Sequence, residues 1–408
     1  MPARPQTAAE LGLMAGAPPF PPERLVTLAN WQDPPFNRWS FQHVNELVPT
    51  APILRGARPV WRLPARERDL DGLRVPFGGR RVSLPRFLQA SYTDGFLVLH
   101  KGRVLTEHYE NGMTPATTHL LQSVSKSITG VVCGALVHRG ALSPEDLVTR
   151  HIPELIGTSW DGCTVRHLLD MRSGTRFNED YDDPLADVRV FEQLVQWRPR
   201  ANKRLPVGLT AYYATLRNKG PHGGPFDYRS ILTDLLGWVM ERASGMRFAE
   251  LISRELWQPM GAEFAAEVTV DAYGSALADG GICVTLRDLA RFGQLLANDG
   301  RRGHAHVVPA AWIADTLTPA DDSVQAFSEY ADRFEKRRGA YYRNQFWVVD
   351  PGEGIFMGSG IYGQNVFVHT AAEVVIAKLS TWPVAWEERI ARDTRNAMIS
   401  LAEQLADS

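Results

Sequence analysis

Ser123 and Lys126 stand in the segment Ser123-Val124-Ser125-Lys126, immediately ahead of the apolar run Ile128 to Val137. A helix turns once in about 3.6 residues, so the hydroxyl and the amine lie on one face and can meet. A hydroxyl next to an amine is a nucleophile with a base. At the start of a helix Ser123 would also lie among unpaired backbone N–H groups at the positive dipole end, which favour a developing oxyanion. The competing reading is that Ser123 caps the helix and Lys126 is a solvated side chain.

A free lysine, with a pKa of about 10.4, is a poor base at neutral pH, so the chemistry also needs burial or a second cation or phenol nearby. Eleven tyrosines compete for that place. Tyr109-Glu-Asn111 and Tyr342-Arg-Asn344 have the Tyr-x-Asn spacing, but both read as strand residues. Tyr228-Arg-Ser230 opens the amphipathic helix Ile231 to Arg242, a rigid mount for a phenol, and Tyr228 is therefore the preferred partner.

Other chemistries lose ground. There is no Gly-x-Ser-x-Gly elbow, no His-Glu-x-x-His zinc helix and no Walker-type phosphate loop. Cys133, Cys163 and Cys283 are far apart and contain no Cys-x-x-Cys pair, which argues against a zinc site or a disulfide framework and fits a reducing compartment. The histidines, such as His167 and His369, lack ligand spacing and read as structural; no metal or organic cofactor is expected. Forty-four basic residues against 46 acidic ones leave a net charge of −2 without a basic block, so nucleic acid is not an expected partner. The longest apolar run falls short of the roughly 18 residues that cross a bilayer, and the patch Leu11 to Ala17 follows Glu10 rather than a basic cluster. These features predict a cytoplasmic protein that does not engage membranes. Gly358-Ser-Gly360-Ile-Tyr-Gly363 matches Gly-x-Gly-x-x-Gly, but a strand follows it, leaving no helix N-terminus for a pyrophosphate.

The elements that must hold Ser123, Lys126 and Tyr228 follow from periodicity. With 408 residues, 44% of them hydrophobic, the chain can bury one or two substantial cores. Residues 1–22 carry six prolines and predict an extended arm. Phe96 to Leu99 and Val104 to Tyr109 flank a turn at Lys101-Gly102, a hairpin pattern. From Leu120 to Pro319 the apolar spacing is helical: one stripe runs from Leu232 to Met240 with a stop at Gly245. Thr285-Leu-Arg-Asp288 has capping-box spacing, and Ser143-Pro-Glu-Asp146 marks another start. Strands return at Gln345 to Val349, Gln364 to His369 and Val374 to Ser380, before a last helix from about Ala385. The expected fold is an α/β (α+β) protein: 23–122 with 325–408 forming an antiparallel sheet domain flanked by helices, and 123–324 a mostly helical lobe. A small-molecule site would lie between the two.

Several segments together resemble the serine β-lactamase and penicillin-binding family, in particular its 6-aminohexanoate-dimer hydrolase branch. They are Trp31-Gln-Asp-Pro-Pro-Phe-Asn-Arg-Trp39, Ser123-Val-Ser-Lys-Ser127, Asn178-Glu-Asp-Tyr181, Gly280-Gly281 with Asp288-Leu-Ala-Arg291, and Gly360-Ile-Tyr-Gly-Gln-Asn365. In that branch the tyrosine motif is similar to Tyr-x-Ser, which suits Ser230. The resemblance implies the serine β-lactamase/transpeptidase-like fold and an acyl-enzyme reaction in which Lys126 and Tyr228 move the Ser123 proton, with the base between them left open. The family's Lys-Thr-Gly element is replaced by Gly360-Ile-Tyr-Gly363, so a β-lactam carboxylate loses its lysine while the Ile361 N–H can still join that of Ser123 in an oxyanion hole. Tyr181 is similar to a tyrosine that binds the leaving amine, and Glu192, Asp279, Ser230 and Tyr362 fall near substrate-contact positions. The expectation is a serine hydrolase of small linear amides or esters, monomeric or homodimeric. The alternatives are a carboxylesterase or β-lactamase-like enzyme without nylon-oligomer activity, or a silent binding protein of the same fold.

Overall fold

The computed structural model describes residues 4–201, 203–331 and 339–407. The strands that matter for the site are, in the first part of the chain, β1 (Thr50–Ile53), β2 (Thr93–His100), β3 (Arg103–Tyr109), β4 (Thr118–Leu120), β5 (Ala266–Thr269) and β6 (Ile282–Thr285). Later come β7 (Tyr341–Arg343), β8 (Phe346–Asp350), β9 (Ile355–Gly360), β10 (Gln364–His369) and β11 (Val374–Ser380). The helices are α1 (Val124–His138), α2 (Ile231–Ser244), α3 (Leu286–Ala297) and α4 (Glu388–Ala406).

Lys101 and Gly102 both take left-handed φ values, +52° and +70°, as a two-residue hairpin turn requires. The resulting β2–β3 hairpin joins the late strands in one seven-stranded antiparallel sheet, ordered β7-β8-β9-β10-β11-β2-β3. Every residue of β2, β10 and β11 is buried, the mark of a sheet covered on both faces. Both α3 and α4 pack on β10 and β11. On α3, Gly293 allows the close approach: a Cβ there would lie 2.5 Å from Val375.

The expected division of the chain is crossed twice. β1 and β4, assigned by sequence to the sheet domain, pair instead with β5 and β6 from the helical segment in a separate four-stranded sheet. α3, assigned to the helical lobe, packs on the large sheet. Both departures reflect long-range pairing that local periodicity does not encode. Residues 1–3 of the predicted arm lie outside the described residues; its remainder is no extended strand but folds back through turns at residues 8–14. There Ala8 and Leu13 are buried, and the Ala8 N–H donates to Asn111 at 2.8 Å.

Two other local expectations are corrected. Ser143-Pro-Glu-Asp146 forms a turn, with the Ser143 N–H on the Asp146 carboxylate, and the helix that follows has four residues, Val148–His151. The capping box at Thr285 is only half made. Its hydroxyl accepts from the Asp288 N–H at 3.3 Å, whereas the Asp288 carboxylate accepts from the Glu263 and Phe264 N–H groups. The terminal helix begins at Glu388 because the Glu387 side chain caps it through the Arg389 and Ile390 N–H groups. Among the described residues no three metal-ligating side chains converge, and no helix is long and apolar enough to cross a membrane.

Candidate active site

α1 is apolar almost all round and buried from Val124 to Leu136, so it is a rigid mount for whatever stands at its start. Ser123 occupies the N-cap position yet makes no side-chain cap bond. Its hydroxyl instead accepts a hydrogen bond from Lys126 Nζ at 2.9 Å, which rules out the capping alternative. Ser123 lines a cavity of about 460 Å³ together with Tyr181, Tyr228, Trp347 and Ile361.

Lys126 is 1% exposed. Besides Ser123, its ammonium reaches Ser230 Oγ at 3.0 Å, the Asp279 carbonyl at 3.1 Å and Asp279 Oδ2 at 3.2 Å. It also lies 5.2 Å from the centre of the Tyr228 ring. Burial alone would push this amine down; the Tyr228 oxygen, Asp279 and Glu179 outweigh it and hold the ammonium above the usual lysine value. The Tyr228 phenol is pushed up by burial, against the pull of Lys126 and of a hydrogen bond with Ser123. Its ring stacks on Trp347 with centroids 5.2 Å apart and meets Tyr342 edge-on at 5.9 Å. Ser123, Lys126 and Tyr228, separated by about a hundred residues, thus form one contact group.

β9 runs beside the start of α1, and the approach depends on its glycines. A Cβ on Gly360 would lie 2.8 Å from the Leu121 carbonyl and 3.0 Å from the Ser123 nitrogen; one on Gly358 would lie 2.7 Å from Ser127 Oγ. The segment Ile361–Gly363 is a single tight turn between β9 and β10. It brings Ile361 to the cavity wall next to the serine. Gln122 and Tyr362, one beside each candidate oxyanion N–H, take left-handed φ values of +48° and +59°. Such non-glycine conformations cost on the order of 1–3 kcal/mol each and are retained where surrounding packing imposes them.

The remaining residues expected at the substrate separate into three groups. Tyr181 does line the cavity, and its hydroxyl donates to Glu179 at 2.9 Å. Ser230 and Asp279 are not on the cavity wall but behind Lys126: Ser230 is 2% exposed and Asp279 7%. Glu192 and Tyr362 are elsewhere. Glu192 is buried between Arg189 and Arg198 and accepts from Gln32, so its charge is neutralised within the fold. Tyr362 packs edge-on against Phe41 at 5.1 Å. None of these four side chains is part of the lining of the cavity that Ser123 opens into.

Glu179 is the residue whose importance sequence reading missed. Its carboxylate accepts from the Ser230 N–H at 2.6 Å, from Ser230 Oγ at 2.5 Å and from Tyr181. It therefore ties the cavity floor to the hydroxyl that accepts from Lys126. Burial raises this carboxyl, with Lys126 opposing. Its place inside Asn178-Glu-Asp-Tyr181 was the available signal. Trp347, Tyr330 and Trp386 add an aromatic wall, and Asp180, Asp182, Glu388 and Arg229 give the lining its charge.

A family profile described as Beta-lactamase matches residues 89–399. A 6-aminohexanoate-dimer hydrolase from Paenarthrobacter ureafaciens is 38% identical over 362 residues, 88% of this chain and 88% of its own. Among solved structures, a provisionally assigned 6-aminohexanoate-dimer hydrolase from Bacillus anthracis aligns with a TM-score of 0.84 at 26% identity, covering 95% of this chain and 99% of its own. EstCE1, a hydrolase with promiscuous acyltransferase activity, shares the fold alone, with a TM-score of 0.57 at 16% identity over 77% of this chain and 98% of its own.

Proposed function

The chain belongs to the β-lactamase family of serine hydrolases, and from that premise we propose that it cleaves small linear amides and esters of the 6-aminohexanoate-dimer type through an acyl-Ser123 intermediate. The observation that carries this reading is the 2.9 Å contact between a non-capping Ser123 hydroxyl and a fully buried Lys126 amine at the wall of a cavity.

In the proposed reaction Ser123 Oγ attacks the carbonyl carbon and its proton passes to the Lys126–Tyr228 pair. The pair returns that proton to the leaving amine or alcohol as the carbonyl re-forms. A water then repeats the sequence on the acyl-enzyme. The lysine and phenol titrate together, so the proton belongs to the pair rather than to either member. The Ser123 and Ile361 N–H groups are assigned to the oxyanion, a role supported by the glycine-dependent approach of β9 to the Ser123 nitrogen. The aromatic wall suits a methylene chain, and Tyr181 is assigned to the leaving amine. Four acidic residues against one arginine on the lining, and the missing Lys-Thr-Gly lysine, disfavour β-lactam carboxylates. The three buried free thiols favour a cytoplasmic setting.

The test is chromatography with mass detection of the 6-aminohexanoate dimer incubated with wild type and with Ser123→Ala, alongside a nitrophenyl ester. Monomer released by wild type alone is the expected result. Ester turnover without dimer cleavage would replace this reading with a carboxylesterase. Absence of both, with no labelling by a fluorophosphonate, would leave a silent binding protein.

A further inference from the structure

Behind Lys126, away from the cavity, two carboxyl groups face one another. Asp234 lies in the first turn of α2 and Asp279 in the turn before β6, and they are 3% and 7% exposed. Their hydrogen bonds are almost fully assigned. Asp234 Oδ1 accepts from the Asp279 backbone N–H at 3.0 Å. Asp279 Oδ2 faces Lys126 Nζ at 3.2 Å. The two oxygens left over, Asp234 Oδ2 and Asp279 Oδ1, are both buried and find no other hydrogen-bonding group among the described residues, while the two side chains interact directly with each other. Two buried acceptors without a donor are costly; one proton between them satisfies both.

We propose that Asp234 is a protonated positioning residue whose O–H donates to Asp279 and so holds the Asp279 carboxylate on Lys126. This assignment deepens the hydrolase reading and rests on it for its catalytic consequence. The charges around the pair agree. Lys126 from α1 is a cation that faces it, and Glu179 and Tyr228 already draw on that same ammonium. Tyr213, whose hydroxyl is also buried, faces Asp234 with no positive charge. Burial first and the Asp279 charge second drive Asp234 towards its acid form. The α2 N-terminus favours the anion by less than a second carboxylate costs in a buried site. Asp279 would then be the carboxylate that orients Lys126 between Ser123 and Ser230, with Asp234 fixing its rotation.

An asparagine reproduces the proposed arrangement, since its carbonyl can accept from the Asp279 N–H and its amide can donate to Asp279 Oδ1. Leucine removes the donor. The infrared difference spectrum of wild type minus Asp234→Asn at pH 7 is expected to contain the C=O stretch of a protonated carboxylic acid. Loss of carboxylate bands alone would overturn the proposal. In ester hydrolysis Asp234→Leu is expected to lose about ten- to a hundredfold in kcat with KM little changed, and Asp234→Asn to restore most of it. An asparagine variant as slow as the leucine variant would overturn the positioning role. The infrared measurement needs no substrate and does not require the leucine variant to fold. An inactive wild type would therefore sink the hydrolase reading while leaving the protonation of Asp234 to be decided separately.

Discussion

Lys126 and Lys378 are 1% and 0% exposed, and their surroundings drive them in opposite directions. Lys126 has an aspartate at 3.2 Å, two serine hydroxyls and a carbonyl, and its ammonium is held above the ordinary value although burial opposes it. Lys378, on β11, meets among the described residues only the Ser91 carbonyl and the Ser380 hydroxyl, and burial pulls it down to about 7. Asp94 lies near enough to oppose that fall, but its carboxylate is committed to Arg38 at 2.8 Å and to the Thr381 hydroxyl, with His119 alongside. Removal from water is thus common to both lysines; the availability of an anion separates them. At the candidate site that anion is Asp279, and in the sheet it is already taken.

Three experiments would break or sharpen the contrast. The largest effect is expected from exchanging the two lysines for methionine. Lys126→Met should lower kcat for ester hydrolysis by about 10²–10⁴-fold, the span of proton-transfer catalysis, while Lys378→Met stays within about twofold of wild type. Equal losses in the two variants would remove the functional distinction. Next, Asp279→Asn should make Lys126 resemble Lys378. The limb of the pH–kcat profile that reports Lys126 should move to lower pH by about one unit or more, and an unmoved profile would mean that Asp279 does not set the lysine. The smallest effect concerns folding. A lysine whose native value lies near 7 and whose unfolded value is about 10.4 binds fewer protons when folded across that interval. Wild-type stability should therefore rise with pH from about 7 to about 10, with a contribution of at most about 1.4 kcal/mol per unit. Chemical denaturation at several pH values should show that rise reduced in Lys378→Met; an unchanged slope would mean that Lys378 is not neutral in the fold.

Much of the candidate site was legible from spacing. The Ser123 and Lys126 contact follows from one helical turn, and Tyr228 was selected because a helix follows it. The hairpin at Lys101-Gly102, with both φ values positive, and the bounds of β10 and β11 were equally local. The hardest strand to read was β9. Its glycines at 358 and 360 weaken the strand pattern, yet they allow its backbone to lie against Ser127 and Ser123. Glu192 was legible only as a candidate substrate contact; its ion pairs with Arg189 and Arg198 come from the fold.

By itself the sequence singled out the candidate nucleophile, its candidate lysine partner, the element types around them and the family to which such motifs belong, because each depends on residues a few positions apart. Tertiary structure alone decided which carboxyl groups surround the lysine. Glu179 reaches Ser230 across 51 positions and Asp279 reaches Lys126 across 153, distances over which no periodicity operates. A buried amine takes its charge state from such neighbours, and only the packed fold brings Asp279 to Lys126 while leaving Lys378 without an ion pair among the described residues.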